Sequence, residues 1–189
     1  MPGTVIGTSL NLGFAGKISR SNDNIVRARF VKSVLDGNGN EAQPTINFGD
    51  PVILNTDNTY SRFGATGSGV NTSNAANFAG FAVAEVKQMM TYGYGAGSGQ
   101  TGGYSPSQPC DVLKRGTLTV FCKDGAPVAG GAVYVCTVAG GSITIGDLVC
   151  STAPTGGGTA IALPNCEWTS GKLDANKVAE VTIMNMVNP

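Results

Sequence analysis

The residue types that carry most enzyme chemistry are scarce and scattered in this chain. Histidine is absent, which removes the commonest general base, the Ser-His and Cys-His nucleophile pairs and the usual transition-metal ligand. The twelve carboxylates are dispersed, and most stand beside turn-forming residues. Two of them could still meet in the folded chain as a glycosidase-like pair, and a histidine-free hydrolase would be tested at Glu85, Asp111 and Glu167. We expect no catalytic residue and no enzyme activity.

The five cysteines have the spacing of structural thiols. They are separated by 12 to 16 residues and form no Cys-x-x-Cys pair: Cys110, Cys122, Cys136, Cys150 and Cys166. A free cysteine on each of several successive strands packs as a small apolar residue. Zinc would need ligation by cysteine alone, normally in close pairs. The first eight residues contain neither a charged leader nor an apolar run, so we expect cytosolic synthesis, reduced thiols and no metal.

Two short patterns match ligand-binding motifs only by letter. Gly97–Gly102 fits the dinucleotide-binding pattern, but a proline-rich turn follows it where a helix would have to receive the phosphate. Asp36–Asn40 begins like a calcium loop, but Glu41 stands where glycine is required and Asn47 stands where the bidentate glutamate belongs. We therefore expect turns at both places and no cofactor.

The composition predicts a largely neutral surface. Charged residues make up 13% of the 189 residues, against about 25% in an average soluble protein, and 28 positions are glycine. The formal net charge is zero, which argues against broad electrostatic binding to nucleic acid. The sequence contains no stretch of 18 consecutive apolar residues, so nothing in it indicates a membrane-spanning helix. A neutral surface is poorly protected against association, so we expect neighbouring proteins to cover much of it.

Basic residues are concentrated near the N-terminus. Between Lys17 and Lys32 the chain has five of its twelve cations and one anion, Asp23. One interpretation is a solvated strand edge whose charges prevent unwanted pairing. The other is a docking arm that binds an acidic partner surface. The alternation of this segment does not decide between them.

The elements around these residues are predicted to be β-strands. Apolar and polar residues alternate strictly after Gly116, and short strands separated by Gly and Pro turns are expected at 25–35, 44–57, 78–90, 117–123, 131–138, 143–150, 160–163 and 178–186. Glycine-rich loops are expected at 64–77 and 93–103, and the composition of the first predicts that it orders only against a partner. Trp168 and the five tyrosines are expected in the core or in subunit contacts rather than as a platform for stacking sugars or bases.

Three segments resemble the structural cement, or head decoration, proteins of short-tailed bacteriophages. The first is Asn11–Ser33, with a glycine turn, Ser-Arg-Ser and an apolar-basic strand. The second is Tyr104–Cys122, with Tyr-x-Pro-x-x-Pro followed by Val-Leu-x-Arg-Gly and an alternating strand. The third combines Gly125–Val135, Trp168–Gly171 and Ala175–Val181, which are similar to the last barrel strands of that family.

The resemblance implies an all-β fold, either a jelly-roll-like sandwich or barrel or, alternatively, a β-tulip. It implies an N-terminal arm with the first strand at 1–35 and a single β domain at 36–189. The implied function is to bind the outer surface of an assembled phage head through the major capsid protein and neighbouring copies of itself. Neither nucleic acid nor membrane is an expected partner. The implied contact residues are Phe14, Arg20, Arg27, Arg29 and Phe30, and the alternative is a tail-fibre or adhesin module that binds glycans.

Overall fold

The computed structural model describes residues 12–20, 23–84 and 102–186, which form strands, turns and loops without a helix. The strands are β1 (Ile25–Phe30), β2 (Ile46–Asn47), β3 (Pro51–Leu54), β4 (Tyr60–Arg62), β5 (Phe78–Ala82), β6 (Gly103–Tyr104), β7 (Pro109–Asp124), β8 (Ala132–Val138), β9 (Leu148–Val149), β10 (Thr159–Trp168) and β11 (Val178–Ile183). Within these ranges no helix is long and apolar enough to cross a membrane. The all-β prediction is confirmed.

The C-terminal strands close into a barrel-like ring. β7 pairs with β9, β9 with β8, β8 with β10 and β10 with β11, and β11 returns to β7. All of these pairings are antiparallel except that of β7 with β9. Closure gives these strands partners on both sides, which is how a β protein removes exposed edges.

The long strand β7 joins this ring to a second set of strands. Its C-terminal half pairs with β11, while its N-terminal half pairs with β5 and β1, and β5 continues to β3 and β4. Gly116 lies at the change of partners with a φ of 120°, in the region that favours glycine. A Cβ atom there would lie 2.0 Å from Oδ1 of Asn24. Glycine at position 116, where the predicted alternation begins, therefore allows β7 to pair with strands of the ring and with strands of the second set.

Alternate residues of β7 face two different cores. Leu113, Leu118 and Val120 belong to a first core that also contains Trp168 and extends to Phe81 of β5. Val112 and Cys110 belong to a second core with residues from other parts of the chain, namely Val31, Ile46, Phe48, Val52, Tyr60, Ala79, Ala82 and Tyr104. Trp168, Tyr60 and Tyr104 are thus core residues, as predicted, and Tyr92 and Tyr94 lie outside the described residues.

Several predicted strands are shorter than expected. Residues 143–150 contain only the two-residue β9, because Thr144–Asp147 form a turn in which Oδ2 of Asp147 accepts a hydrogen bond from the backbone N–H of Thr144 at 2.8 Å. The strand predicted at 78–90 is formed over Phe78–Ala82, and residues 85–90 lie outside the described part. The loop at 93–103 is described only from residue 102.

The glycine-rich loop at 64–77 packs against its own domain, so the expectation that it orders only against a partner was wrong. The N–H of Asn71 donates to Oδ1 of Asn55 at 2.9 Å, and Nδ2 of Asn71 donates to the carbonyl of Leu54 at 2.9 Å. The N–H of Gly64 donates to Oγ of Ser73 at 2.7 Å. Side-chain amides and hydroxyls thus replace the apolar contacts that the composition lacks.

All five cysteines are free thiols, and Cys150 is the one that is not buried. Its Sγ lies 3.6 Å from Sγ of Cys122. The hydrogen bond from the Cys122 thiol lowers the pKa of Cys150, whereas burial raises the pKa of Cys110 and Cys166. Because the thiolate is the reactive form of cysteine, both the partial exposure of Cys150 and its lowered pKa favour reaction at this residue.

We therefore expect one thiol of the folded protein to react much faster than the others. Brief treatment with iodoacetamide near neutral pH, followed by mass spectrometry, should place the first label on Cys150, and the Cys150→Ser variant should lose this fast phase. Earlier labelling of Cys110 or Cys166 would contradict the burial described above.

Candidate interaction surface

The N-terminal part of the described chain runs along one edge of β7. We call residues 12–20 and 23–31 the edge segment. The N–H of Gly16 donates to the carbonyl of Thr119 at 2.6 Å, and the N–H of Ser19 donates to the carbonyl of Thr117 at 3.0 Å. Further along, β1 pairs antiparallel with β7 from Ile25 to Phe30. The edge segment is thus an extended arm bound to its own sheet over its described length.

The opposite edge of β7 is already occupied. Leu118 pairs with Val181 of β11 on one side and forms a bridge with Ile18 of the edge segment on the other. Leu113 likewise pairs with Phe81 of β5 and with Val26 of β1. Among the described residues β1 pairs with β7 alone. Its other edge therefore has backbone groups free of strand pairing, and such an edge can accept a further strand.

The two faces of β1 differ in chemistry. Val26, Ala28 and Phe30 alternate on one face and are exposed, with 40% of Val26 and 62% of Phe30 accessible. Arg27 and Arg29 alternate on the other face. One strand thus presents an apolar row and a basic pair at the edge of the molecule.

Phe14 is a second exposed aromatic residue on the edge segment, at the far end from Phe30. It is 70% exposed, and its carbonyl accepts a hydrogen bond from Oγ1 of Thr119 at 2.5 Å. Phe30 pairs with Pro109. Thr119 follows Pro109 by ten residues on β7, and at about 3.3 Å per residue the two backbone positions are at most about 33 Å apart. The exposed phenylalanines thus mark the two ends of one long edge.

Arg20 makes a contact within its own chain. Its Nε lies 3.0 Å from Oε1 of Glu180 on β11. The Glu180 side chain is 4% exposed and the Arg20 side chain is 63% exposed. Glu180 pairs in register with Thr119, the residue to which the edge segment is bonded. Arg20 therefore fastens the edge segment to the ring, and it still offers donors to a partner.

Arg27 and Arg29 lie on the face of β1 that borders the second core. In the antiparallel register Arg27 is opposite Val112 and Arg29 is opposite Cys110, and both of these β7 residues are buried there. Cζ of Arg29 lies 5.5 Å from the centroid of the Tyr60 ring, within the range of a cation–π contact. Lys114 follows Val112 by two residues on β7 and is only 1% exposed. Three cations and a tyrosine thus gather at one corner of this core.

Sequence reasoning did not identify Tyr60, Lys114 or Glu180 as part of this surface. Each is buried, and each is placed beside the edge segment by strand register rather than by closeness in sequence. The one sign of this arrangement in the sequence was Lys114, which stands among the alternating apolar residues of β7. The five predicted contact residues, by comparison, all lie on the edge segment.

The residues named for the enzyme alternative do not form a described site. Asp111 belongs to the half of β7 that joins the second set of strands, Glu167 belongs to β10 in the ring, and Glu85 lies outside the described residues. Among the residues that the structure describes, no three His, Cys, Asp or Glu side chains are grouped so as to hold a metal ion.

Comparison with known proteins identifies the family. The family model described as structural cement protein (E217 gp24/Pam3 gp6) matches residues 1–184. A solved chain titled "The capsid of Myoviridae Phage XM1" has 20% sequence identity to this chain and superposes with a TM-score of 0.61 over 98% of this chain and 99% of that chain. No curated protein matches significantly.

The chain belongs to the phage structural cement protein family, and it is a capsid decoration protein of a virion. The chain titled as the capsid of the myovirus shares its fold. Family membership indicates a structural rather than a catalytic role and association with capsid proteins.

Proposed function

We propose that the protein binds the outer surface of the assembled head, contacts the major capsid protein and neighbouring copies of itself, and thereby holds capsid subunits together. The observation that carries this proposal is the edge segment, with an open strand edge, exposed Phe14 and Phe30 at its two ends and basic side chains between them. Nucleic acid and membrane are not part of the proposal.

The edge of β1 suits addition of a strand. A partner strand beside β1 would use the backbone groups that β7 does not use, and main-chain hydrogen bonds of this kind give affinity without demanding a particular sequence. Register would then be set by side chains on alternate positions. The exposed row of Val26, Ala28 and Phe30 would lie on one face of the extended sheet.

The two phenylalanines are the proposed apolar anchors. Each exposes most of its side chain, and complete burial of such a side chain contributes about 1.5–3 kcal/mol. Anchors at the two ends of one long edge, up to about 33 Å apart, could rest on two different capsid subunits, as a cement protein requires. Arg20, Arg27 and Arg29 would add charge complementarity, which favours rapid and specific association.

Binding of this kind stabilises the shell by mass action. A ligand that binds the assembled lattice and not the separate subunits shifts the equilibrium toward the lattice. Many modest contacts repeated over a symmetric shell also reinforce one another through avidity. A chain with little charge can therefore have a large effect on the particle.

We expect heads lacking this protein to be less stable than decorated heads. Undecorated heads would be mixed with the purified full chain, and the temperature at which they release DNA would be measured with a DNA-binding dye. The release temperature should rise with added protein and reach a plateau when the sites are filled. Decoration without any rise in that temperature would contradict the cement role, and failure to decorate would contradict the whole proposal.

The glycan-binding alternative makes a different prediction about copy number. A head protein should be present in hundreds of copies per particle, whereas a tail-fibre module should be present in a handful at the tail. The burial of Tyr60, Tyr104 and Trp168 leaves these aromatic rings unavailable for stacking on a sugar, which favours the head.

A further inference from the structure

Tyr60 has a buried hydroxyl group that the described structure leaves without a hydrogen bond. The residue lies on β4 and is 0% exposed, and its phenolic oxygen finds no partner among the described residues. Buried hydroxyl groups are normally paired, because an unpaired one loses its hydrogen bonds to water without replacement. Burial raises the pKa of Tyr60 to about 12, so the group stays protonated and is available as a donor.

Cationic side chains lie close to Tyr60. Arg29 lies over the Tyr60 ring, and Arg27 is on the same face of β1. Lys114 is buried on the adjoining face of β7, and burial, with the charges of Arg29 and Arg27, lowers its pKa to about 8. One carboxylate, that of Asp111 on β7, also acts on Tyr60, and Asp111 has further interactions of its own. Among the described residues, two arginine guanidinium groups thus lie close enough to act on the Tyr60 hydroxyl group.

We propose that Tyr60, Arg27 and Arg29 form a receptor for a single carboxylate side chain contributed by a capsid protein subunit. This inference rests on the proposed function and names the chemistry of its contact. The arginine guanidinium groups would pair with the carboxylate oxygens, and the hydroxyl group of Tyr60 would donate to one of them. The partner is thus an Asp or Glu side chain on the capsid surface that faces β1.

A carboxylate suits the site in size and in hydrogen bonding. A guanidinium group binds two carboxylate oxygens through parallel N–H donors, and such charge-assisted bonds are among the strongest in proteins. Arg27 is exposed, Arg29 is half-buried and Tyr60 is buried, so the group would enter from the side of Arg27 and would reach the hydroxyl group only after the Arg29 side chain moved aside. The incoming negative charge would also offset the repulsion that Arg29 and Arg27 exert on Lys114.

The sharpest test removes the hydroxyl group alone. Purified full-length Tyr60→Phe would be compared with Tyr134→Phe, which makes the same change on β8, away from the cluster. Binding to undecorated heads would be measured by co-sedimentation over a range of concentrations, and the melting temperature of each free protein by calorimetry. Loss of a hydrogen bond to a charged group should weaken head binding of Tyr60→Phe about tenfold or more.

The melting temperature separates a binding role from a structural one. Because the hydroxyl group has no partner among the described residues of the free protein, Tyr60→Phe should melt no lower than the unchanged protein, and Tyr134→Phe should bind heads normally. Equal head binding by the two variants would overturn the carboxylate receptor while leaving the cement role intact. Absence of binding by the unchanged protein would overturn both.

Arginine variants and cross-linking identify the source of the carboxylate. Arg29→Gln should weaken binding at low salt and reduce its dependence on salt concentration. In the Arg27→Lys variant, which places an amine at the exposed end of this cluster, treatment of decorated heads with a carbodiimide, which joins an amine to a neighbouring carboxylate, should link position 27 to an acidic residue of the major capsid protein. A link from position 27 to a second copy of this chain instead, or links at other lysines with none at position 27, would contradict the proposal.

Discussion

Heads mixed with the Phe14→Ser, Phe30→Ser double variant are expected to remain undecorated at concentrations that saturate them with the unchanged protein. Both side chains are largely exposed in the free chain, so the substitutions remove little from the fold. Burial of two phenylalanines against the capsid contributes about 3–6 kcal/mol, since each contributes about 1.5–3 kcal/mol. The affinity should therefore fall by more than about 100-fold. Quantitative co-sedimentation with undecorated heads measures this change.

The matched control is Val128→Ser. Val128 is 68% exposed, which is close to Phe14, but it lies in the turn before β8 rather than on the edge segment. This variant should bind as the unchanged protein does, and all three proteins should have the same melting temperature. Normal decoration by the double variant would show that the edge segment is not the contact surface.

Replacement of Gly80 by alanine is expected to destabilise the free protein by about 3 kcal/mol or more. Gly80 lies on β5 with a φ of 137°, in the region that disfavours a side chain. A Cβ atom there would lie 2.0 Å from the carbonyl oxygen of Leu113 and 2.9 Å from Cγ1 of Val112. Both contacts are with β7, so the substitution would push apart the strands that join the two sets.

Gly37→Ala provides the control for Gly80→Ala. Gly37 lies in an exposed turn, and a Cβ atom there meets nothing within 4 Å. Urea unfolding followed by tryptophan fluorescence should give a much lower midpoint for Gly80→Ala and an unchanged midpoint for Gly37→Ala. Equal midpoints would mean that the close approach of β5 to β7 is not required.

Local chemistry made much of the fold predictable. The alternation after Gly116 predicted the C-terminal half of β7, and glycine and proline turns predicted most of the later strands. The N-terminal half was not predicted, because Pro109 suggested a turn. Proline is nevertheless allowed at the first residue of a strand, which is the position that Pro109 occupies. The pairing of one strand with both β11 and β1 depends on residues far apart in sequence, and no local pattern encodes it.

The arrangement of the proposed contact residues was predictable only in part. The exposure of Phe14 and Phe30 agrees with their proposed role as anchors, although contact with a capsid remains a prediction. The bond of Arg20 to Glu180 joins residues 160 positions apart. The position of Arg29 over Tyr60 depends on the return of β4 toward the edge segment. Such contacts follow from register and topology, which residue types alone do not specify.

The most direct test of the account is a cryo-electron microscopy map of the intact particle that carries this protein. We expect its density on the outside of the head, with the edge segment against major capsid protein subunits, Phe14 and Phe30 buried, and an acidic side chain beside Tyr60. A map in which the edge segment faces solvent, or in which the head exterior lacks this protein, would contradict the account.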